Sequence, residues 1–295
     1  MGFDTAYESI TEETGDQRWA YGTGFADPLA GVDTAVPAGV PAADLAAYCL
    51  MLGDDALIMS HRLQEWLARA PELEEETALA NIALDLLGQA RLLLSRAGHA
   101  DGTGRDEDAC AFGRDAHEFR NVRLAEVTDA DFGGLIARLL VFSTWRLALL
   151  GRLRESRDPV LAAVAAMGVR EVAYHRDYAA QWLLRLAGGT DFSRARVSAG
   201  LAAVAPLTAE LFAISDPERG LVASQAAPDP AGLQAEVEAV LTTVLDQAGL
   251  AWPELADQPG PGDGRAGRQG VHTEVMGDLV AELQSVARAY PGATW

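Results

Sequence analysis

Four side chains in three separate stretches of the chain have the types and spacing of metal ligands. Asp54 and Asp85 lie within apolar helical patterns, and Glu171 and His175 are four residues apart. A two-metal carboxylate centre in a helix bundle takes one Glu from each of two helices and a Glu-x-x-His from each of the other two. The chemistry to test against this sequence is therefore that of a di-metal oxygenase.

The ligand set for such a centre is incomplete. Gly88 stands three residues after Asp85, where the motif requires a histidine. The predicted third helix has no carboxylate between Asp131 and Glu155. Its charged residues, which we expect in the interior, are Arg138, Arg146, Arg152 and Arg154. At a generous count three of the six ligands remain, and so few groups would hold two metals weakly and in poor geometry. We expect neither a metal nor another cofactor in this chain.

The fourth helix departs from the motif in its spacing. Tyr174 occupies the position where the histidine of Glu-x-x-His would stand, and His175 follows it on a face that Tyr178 and Trp182 continue. Glu171 and His175 can share a metal at this spacing, or they can form a hydrogen bond to each other inside the core.

The remaining carboxylates need partners if no metal binds them. Asp54 is as well explained by a buried pair with an arginine or histidine as by a metal site. An isolated buried carboxylate is costly, so we expect His61, His175 or an arginine beside Asp54, Asp85 and Glu171.

Four long helices must position these side chains. Apolar residues three and four apart, from Leu45 to Trp66, predict the first, and the second runs from the acidic turn at Glu74 to about residue 97. Residues 128–131 form a capping-type start for the third helix. Asp158 and Pro159 begin the fourth, which ends before residues 188–189.

The connections between these helices identify the fold class. The joins within the two helix pairs are short, whereas residues 98–127, partly helical near 109–120, form a long crossover between the pairs. This is the connectivity of an all-α, ferritin-like four-helix bundle. We expect additional C-terminal helices near residues 193–213, 233–249 and 271–289, an ordered surface loop at 252–270, and a flexible N-terminal arm at 1–40 before the helical domain at 41–295.

Composition excludes several classes of function. Every one of the 23 basic residues is arginine, so Schiff-base chemistry and a P-loop lysine are absent. A net charge of −20 opposes nucleic-acid binding. The two cysteines form neither a disulfide framework nor a four-ligand zinc site. No apolar run approaches the length of a membrane span, and the acidic start is unlike a secretory signal, so we expect a cytoplasmic protein without a membrane anchor.

Several stretches resemble one family of proteins. They are residues 52–58 (LGDDALI), 62–66 (RLQEW), 70–74 (APELE), 78–91 (ALANIALDLLGQAR), 170–175 (REVAYH), 267–274 (GRQGVHTE) and 290–292 (YPG). Together they resemble the C subunit of bacterial phenylacetyl-CoA epoxidase, the PaaC family, over about residues 40–295. Residues 1–40 are additional to that resemblance.

The resemblance implies a ferritin-like subunit that pairs with a homologous catalytic A subunit. In that family the A subunit holds the di-iron centre and binds the coenzyme A thioester, and a flavin and iron–sulfur reductase subunit supplies electrons. The assembly adds one oxygen atom across the aromatic ring of phenylacetyl-CoA. Two alternatives remain open on the residues alone: a di-metal oxygenase that uses Asp54, Asp85, Glu171 and His175, and a stand-alone helical binding protein.

Overall fold

The structure is a computed structural model that describes residues 29–253, 266–291 and 293. In this part of the chain there are ten α-helices and no strand. The helices are α1 (Ala42–Gln64), α2 (Leu73–Ala100), α3 (Glu107–Phe112), α4 (Arg123–Glu126), α5 (Phe132–Leu153), α6 (Pro159–Gly188), α7 (Asp191–Val204), α8 (Asp216–Ala223), α9 (Gln234–Ala248) and α10 (Met276–Ala289). The all-α prediction is therefore confirmed, and α8 is a helix that the sequence analysis did not predict.

Four long helices, α1, α2, α5 and α6, form the central bundle. Side-chain contacts show that α1 runs antiparallel to α5 and that α2 runs antiparallel to α6. The contacts join Leu52 to Arg146, Met59 to Arg138, Asp85 to His175 and Gln89 to Glu171. With short joins inside the α1–α2 and α5–α6 pairs, α2 and α5 must run in the same direction. The segment between them crosses the length of the bundle and contains α3 and α4, as predicted for a ferritin-like fold.

The helix starts follow their capping residues. Asp131 precedes α5, and its side chain accepts a hydrogen bond from the backbone N–H of Gly134 at 3.0 Å. Asp158 precedes α6 and accepts from the N–H of Leu161 at 2.9 Å, with Pro159 at the first helical position. Both starts agree with the sequence, because the cap satisfies an N–H that has no partner within the helix.

Two helices of the bundle are long and apolar enough to span a membrane. By length and composition alone, α2 and α5 meet this description. In the fold the apolar window of α5 is 89% buried inside the protein, whereas that of α2 is only 44% buried. The apolar residues of α5 therefore form part of the core. One side of α2 is not covered by the rest of the described chain.

The additional helices cover the bundle unevenly. Among the described residues, α8 packs on α1, α7 and α9 pack on α5 and α6, and α10 packs on α3. Consequently α1 and α5 are surrounded by protein on nearly all sides. The predicted loop at 252–270 lies mostly outside the described residues, which end at 253 and resume at 266.

The chain divides into a unit at Met1–Gly31 and a unit at Val32–Trp295, so the division lies earlier than the boundary expected after residue 40. Residues 32–40 are tied to the helices. Arg96 of α2 donates to the carbonyl of Thr34, and Arg157 donates to that of Ala38 at 3.1 Å. Of the predicted flexible arm, residues 1–28 lie outside the described part of the chain.

A buried ion pair joins α2 to the start of α6. The Asp158 carboxylate caps α6 with one oxygen and binds the Arg96 guanidinium with the other, and both side chains are at most 1% exposed. We predict that Asp158→Ala lowers the free energy of unfolding by about 3–5 kcal/mol, because it removes the cap and leaves a buried arginine unpaired. Urea denaturation followed by circular dichroism measures the change.

The matched variant Asp158→Asn keeps a capping oxygen and removes only the charge. It should recover about 1 kcal/mol of the loss, the usual contribution of an N-cap. An alanine variant as stable as the wild type would show that Arg96 finds another partner.

Candidate functional site

A chain of hydrogen bonds crosses the centre of the bundle through all four long helices. The guanidinium of Arg146, on α5, donates from Nε to Oε1 of Gln89 at 2.9 Å and lies 3.4 Å from the carbonyl of Leu52 on α1. Gln89, on α2, donates from Nε2 to Oε2 of Glu171 on α6 at 2.8 Å. A cation and a carboxylate are thus connected through one amide side chain.

The positive charge of Arg146 is retained in this setting. The side chain is 1% exposed, and burial lowers its pKa to about 10, while the negative charges of Asp55 and Glu171 act in the opposite direction. A group with a pKa near this value is protonated at neutral pH. The bundle centre therefore contains a fixed cation supplied by the protein.

A second contact joins α2 and α6 one helical turn away. Nε2 of His175 lies 3.0 Å from Oδ2 of Asp85. The imidazole is 1% exposed and the carboxylate is 36% exposed, so the pair links the core to the surface. The partner of His175 is therefore a residue of the neighbouring helix, not Glu171 of the same helix. The hydrogen bond that we considered between Glu171 and His175 is not formed, because each side chain reaches across to α2.

These residues do not fit a two-metal centre. The third long helix, α5, places Arg146 in the middle of the bundle, where a two-metal site needs a carboxylate. Gly88 has no side chain to offer as a ligand. Among the described residues, one group of three possible metal ligands has its ligand atoms within 4.8 Å of one another. It consists of Glu72, Glu74 and Glu75, at the start of α2. Asp85, Glu171 and His175 do not form such a group.

Asp54 does not join the other three predicted residues. Its carboxylate is fully buried and points to the crossover segment, where it accepts from Nη1 of Arg114 at 2.9 Å and from the backbone N–H of Arg120 at 2.8 Å. The structure therefore brings together Asp85, Glu171 and His175 and separates Asp54 from them. The expected arginine or histidine partner is found for Asp54, which binds Arg114, and for Asp85, which contacts His175. For Glu171 the expectation is wrong, because its partner is the amide of Gln89.

The neighbouring Asp55 is a structural residue that the sequence analysis missed. It accepts from the backbone N–H of Val122 at 2.8 Å and forms a two-point ion pair with Arg268 at 2.8 and 3.0 Å. Burial acts to lower the pKa of Arg268, but the charge of Asp55 and its hydrogen bond raise the pKa above the ordinary value. Two adjacent aspartates in an apolar helix were the available signal.

His272 also forms a contact distant in sequence. Its Nδ1 lies 2.7 Å from Oε2 of Glu126, and its Nε2 lies 3.1 Å from the carbonyl of Phe119. With Arg268 it fastens the segment before α10 to the crossover. These buried pairs connect the crossover to α1 and to the C-terminal segment.

Three other assignments need correction. Arg152 and Arg154 are exposed, not interior; Arg152 pairs at the surface with Glu236, because these positions face outward at the end of α5. Tyr174 is 50% exposed. It does not share the inward face of His175, since successive helical residues point about 100° apart.

Comparison with known proteins assigns the chain to a family. The model of the phenylacetic acid catabolic protein family (PaaA_PaaC) matches residues 33–295. The chain belongs to this family. The C subunit of 1,2-phenylacetyl-CoA epoxidase from Escherichia coli (strain K12) is 43% identical over 252 residues, which cover 85% of this chain and 99% of that protein. The PaaC-type resemblance is thus confirmed.

The family match agrees with the fold. It begins at residue 33, beside the division between the two units of the chain, and it includes all four bundle helices and the C-terminal segment with Arg268 and His272. The polar contacts between α2 and α6 and those that hold the crossover therefore both lie in the part of the chain that matches the family.

We predict that Arg146→Met lowers the free energy of unfolding by about 1–3 kcal/mol, because Gln89 and Glu171 lose the donor and the charge that satisfy them in the core. Urea denaturation measures the change. The control is Arg152→Met on the same helix, where an exposed pair contributes about 0–1 kcal/mol. Equal stability of the two variants would contradict a structural role for the buried cation.

His61 of α1 gives an expected pH dependence. Its Nε2 is buried without a hydrogen-bond partner in the described residues, and burial lowers the pKa of the imidazole, although Glu282 and Glu65 partly oppose this. The unfolded state binds a proton first as the pH falls below 6.5, so stability is lost between that value and the lower folded pKa. The urea midpoint of His61→Gln should therefore depend less on pH, between about pH 7 and pH 5, than that of the wild type. His99→Gln, at an exposed position, is the control.

Proposed function

We propose that this protein is a non-catalytic, supporting subunit of a multicomponent phenylacetyl-CoA 1,2-epoxidase. It would pair with a homologous A-type subunit, stabilise it, and leave the ring epoxidation of aerobic phenylacetate catabolism to that partner. The di-iron centre and the coenzyme A thioester would be held by the A-type subunit. Further epoxidase subunits and a reductase would complete the assembly.

One observation carries this proposal, and it is the placement of Arg146 in the centre of a ferritin-like bundle. A protonated guanidinium with hydrogen bonds to Gln89 and Leu52 occupies the region where carboxylates would bind two metal cations. A fixed positive charge disfavours divalent cations in the same low-dielectric region. Ion pairs and hydrogen bonds of the protein itself, such as Arg146–Gln89–Glu171 and Asp85–His175, connect the helices there.

The similarity to the C subunit of an epoxidase supports the assignment of the complex. That relative is named as one subunit of an enzyme, so proteins of this kind work together with other chains. A subunit that lost its metal ligands but kept a well-ordered bundle is suited to holding a catalytic homologue in position. We place the complex in the cytoplasm, and the net charge of −20 supports protein partners over nucleic acid.

Co-expression with the A-type family member of the same genome tests the proposal. We expect the two chains to elute together in size-exclusion chromatography as a stable heteromer, with iron in the complex and less than one iron per chain in this protein purified alone. The epoxidase activity should require the A-type chain, and Arg146→Met should leave the iron content of the complex unchanged.

Two results would contradict this function. Separate elution of well-folded chains would remove the supporting role. Two irons per chain in the isolated protein would instead favour a di-metal oxygenase that uses Asp85, Glu171 and His175 as a reduced ligand set.

A further inference from the structure

A cavity of about 340 Å³ lies between α1, the start of α8, the crossover and the segment that precedes α10. Cavities that bind small molecules usually measure about 300–1,000 Å³, so this one has room for a small ligand. Glu118, at its lining, is exposed, so the cavity is open to solvent. Among the described residues that line it, none belongs to α2 or α6.

One wall of the cavity is apolar. Ala47, Leu50 and Met51 are three and four residues apart on α1, so they share one face of that helix. Pro217, in the first turn of α8, adds an apolar ring to the lining. This wall offers a surface against which the apolar part of a ligand would leave water.

The other wall carries four arginines, and one of them differs from the rest. Three are neutralised by an aspartate of the protein, in the pairs Arg105–Asp101, Arg114–Asp54 and Arg268–Asp55. The fourth is Arg120. Among the described residues, its guanidinium contacts only backbone carbonyls, those of His117 at 2.7 Å and Phe119 at 2.8 Å. The cavity therefore contains a cation without a carboxylate partner in the described chain.

Arg120 keeps one edge of its guanidinium free. Both carbonyl contacts come from Nη1, and Nε and Nη2 have no hydrogen-bond partner among the described residues, although neither atom is sealed from solvent. The Nε–Nη2 edge presents two N–H groups that match the two oxygens of a carboxylate. Arg138 binds Asp129 in this way, through Nε at 2.8 Å and through Nη2. Arg120 has the same pair of donors to offer a ligand.

The position of Arg120 is fixed by the protein before any ligand binds. Its backbone N–H donates to Asp54 at 2.8 Å, and its carbonyl accepts from Nη1 of Arg268 at 2.7 Å. A Cβ on Gly270 would approach Nη1 of Arg120 to 2.9 Å, so this glycine leaves room for the side chain. A donor that is already held in place loses less conformational entropy on binding.

The surrounding charges favour a ligand with a single negative charge. One carboxylate would neutralise Arg120, since the other three arginines are already paired. Glu118 is exposed at the same cavity, with Oε2 accepting from the backbone N–H of Asp115 at 2.7 Å. Its negative charge repels a dianion such as phosphate more strongly than a monocarboxylate, because the Coulomb energy scales with the charge of the ligand.

We propose that this cavity binds a small organic monocarboxylate with an apolar body. The carboxylate accepts two hydrogen bonds from Nε and Nη2 of Arg120, and the apolar body packs on the wall formed by α1 and Pro217. The ligand contacts α1, α8 and the crossover together, so it stabilises the folded chain by mass action. This inference goes beyond the proposed function and does not depend on it, since the site lies within this chain alone.

Titrations of the purified full-length chain at neutral pH, followed by ligand-observed NMR, test the inference. Hexanoate is the probe, because it joins a carboxylate to an apolar chain. Hexanamide has the same chain without the charge, and acetate has the charge without the chain. Inorganic phosphate is an oxyanion of higher charge.

We expect hexanoate to bind with a dissociation constant on the order of 1 mM, as is usual for a ligand of this size. Hexanamide should bind about tenfold more weakly or worse, because it has no charge to pair with the guanidinium. Acetate should lose a similar factor, because it has no chain to bury on the apolar wall.

Variants of the two walls and a matched control complete the test. Arg120→Met should weaken hexanoate binding about tenfold or more, because the charge-assisted hydrogen bonds are lost. Pro217→Asp places a like charge on the apolar wall and should also weaken binding, whereas an acidic residue is favourable in the first turn of α8. The control is Arg152→Met, an exposed position outside the cavity, which should bind as the wild type does.

Several results would overturn the proposal. Hexanamide that binds as tightly as hexanoate, or unchanged affinity in Arg120→Met, would remove the role of the guanidinium. Phosphate that binds more tightly than hexanoate would contradict the ligand class. Absence of saturable hexanoate binding would remove the site itself. If Arg120→Met does not fold, Pro217→Asp decides, and unchanged affinity for hexanoate in that variant would overturn the proposal.

Discussion

Buried charge that must be compensated within the protein is the constraint on which this structure depends. Arg146 lies in the middle of four packed helices, and a guanidinium there is tolerable only if its N–H groups and its charge find partners. Gln89 accepts from the guanidinium on one side and donates to Glu171 on the other, so one amide connects a cation and an anion on different helices. Positions that could have bound a metal are thereby occupied by interactions between helices.

The same requirement organises the connection between the helix pairs. The crossover has little regular structure of its own, and carboxylates of the bundle bind it at several points. Asp54 holds Arg114, Asp55 holds Val122 and Arg268, and each pair is buried. Because an unpaired buried charge would cost several kcal/mol, these contacts fix the path of the crossover and of the segment that precedes α10.

A bundle whose central buried charges are paired by its own side chains is suited to a role in assembly. The described chain covers α1 and α5, and it leaves part of the outward sides of α2 and α6 open although α3 packs on α2. Leu84 and Tyr174 remain 62% and 50% exposed there. Association with a partner would remove this apolar surface from water, which agrees with the supporting role proposed for the protein.

The sequence by itself determined the four long helices, the long crossover and the capping residues of α5 and α6, because helical periodicity and N-caps act over a few residues. The family followed from the dispersed stretches that resemble it. The sequence also showed that metal ligands are missing at Gly88 and on the third long helix, α5. Only the tertiary structure decided which charges pair. Asp54 faces Arg114, Glu171 and His175 each bind α2, and Arg152 lies outside the core. These partners are 60 to 90 residues apart in the chain, so their choice depends on how the helices are rotated and aligned, which local pattern does not encode.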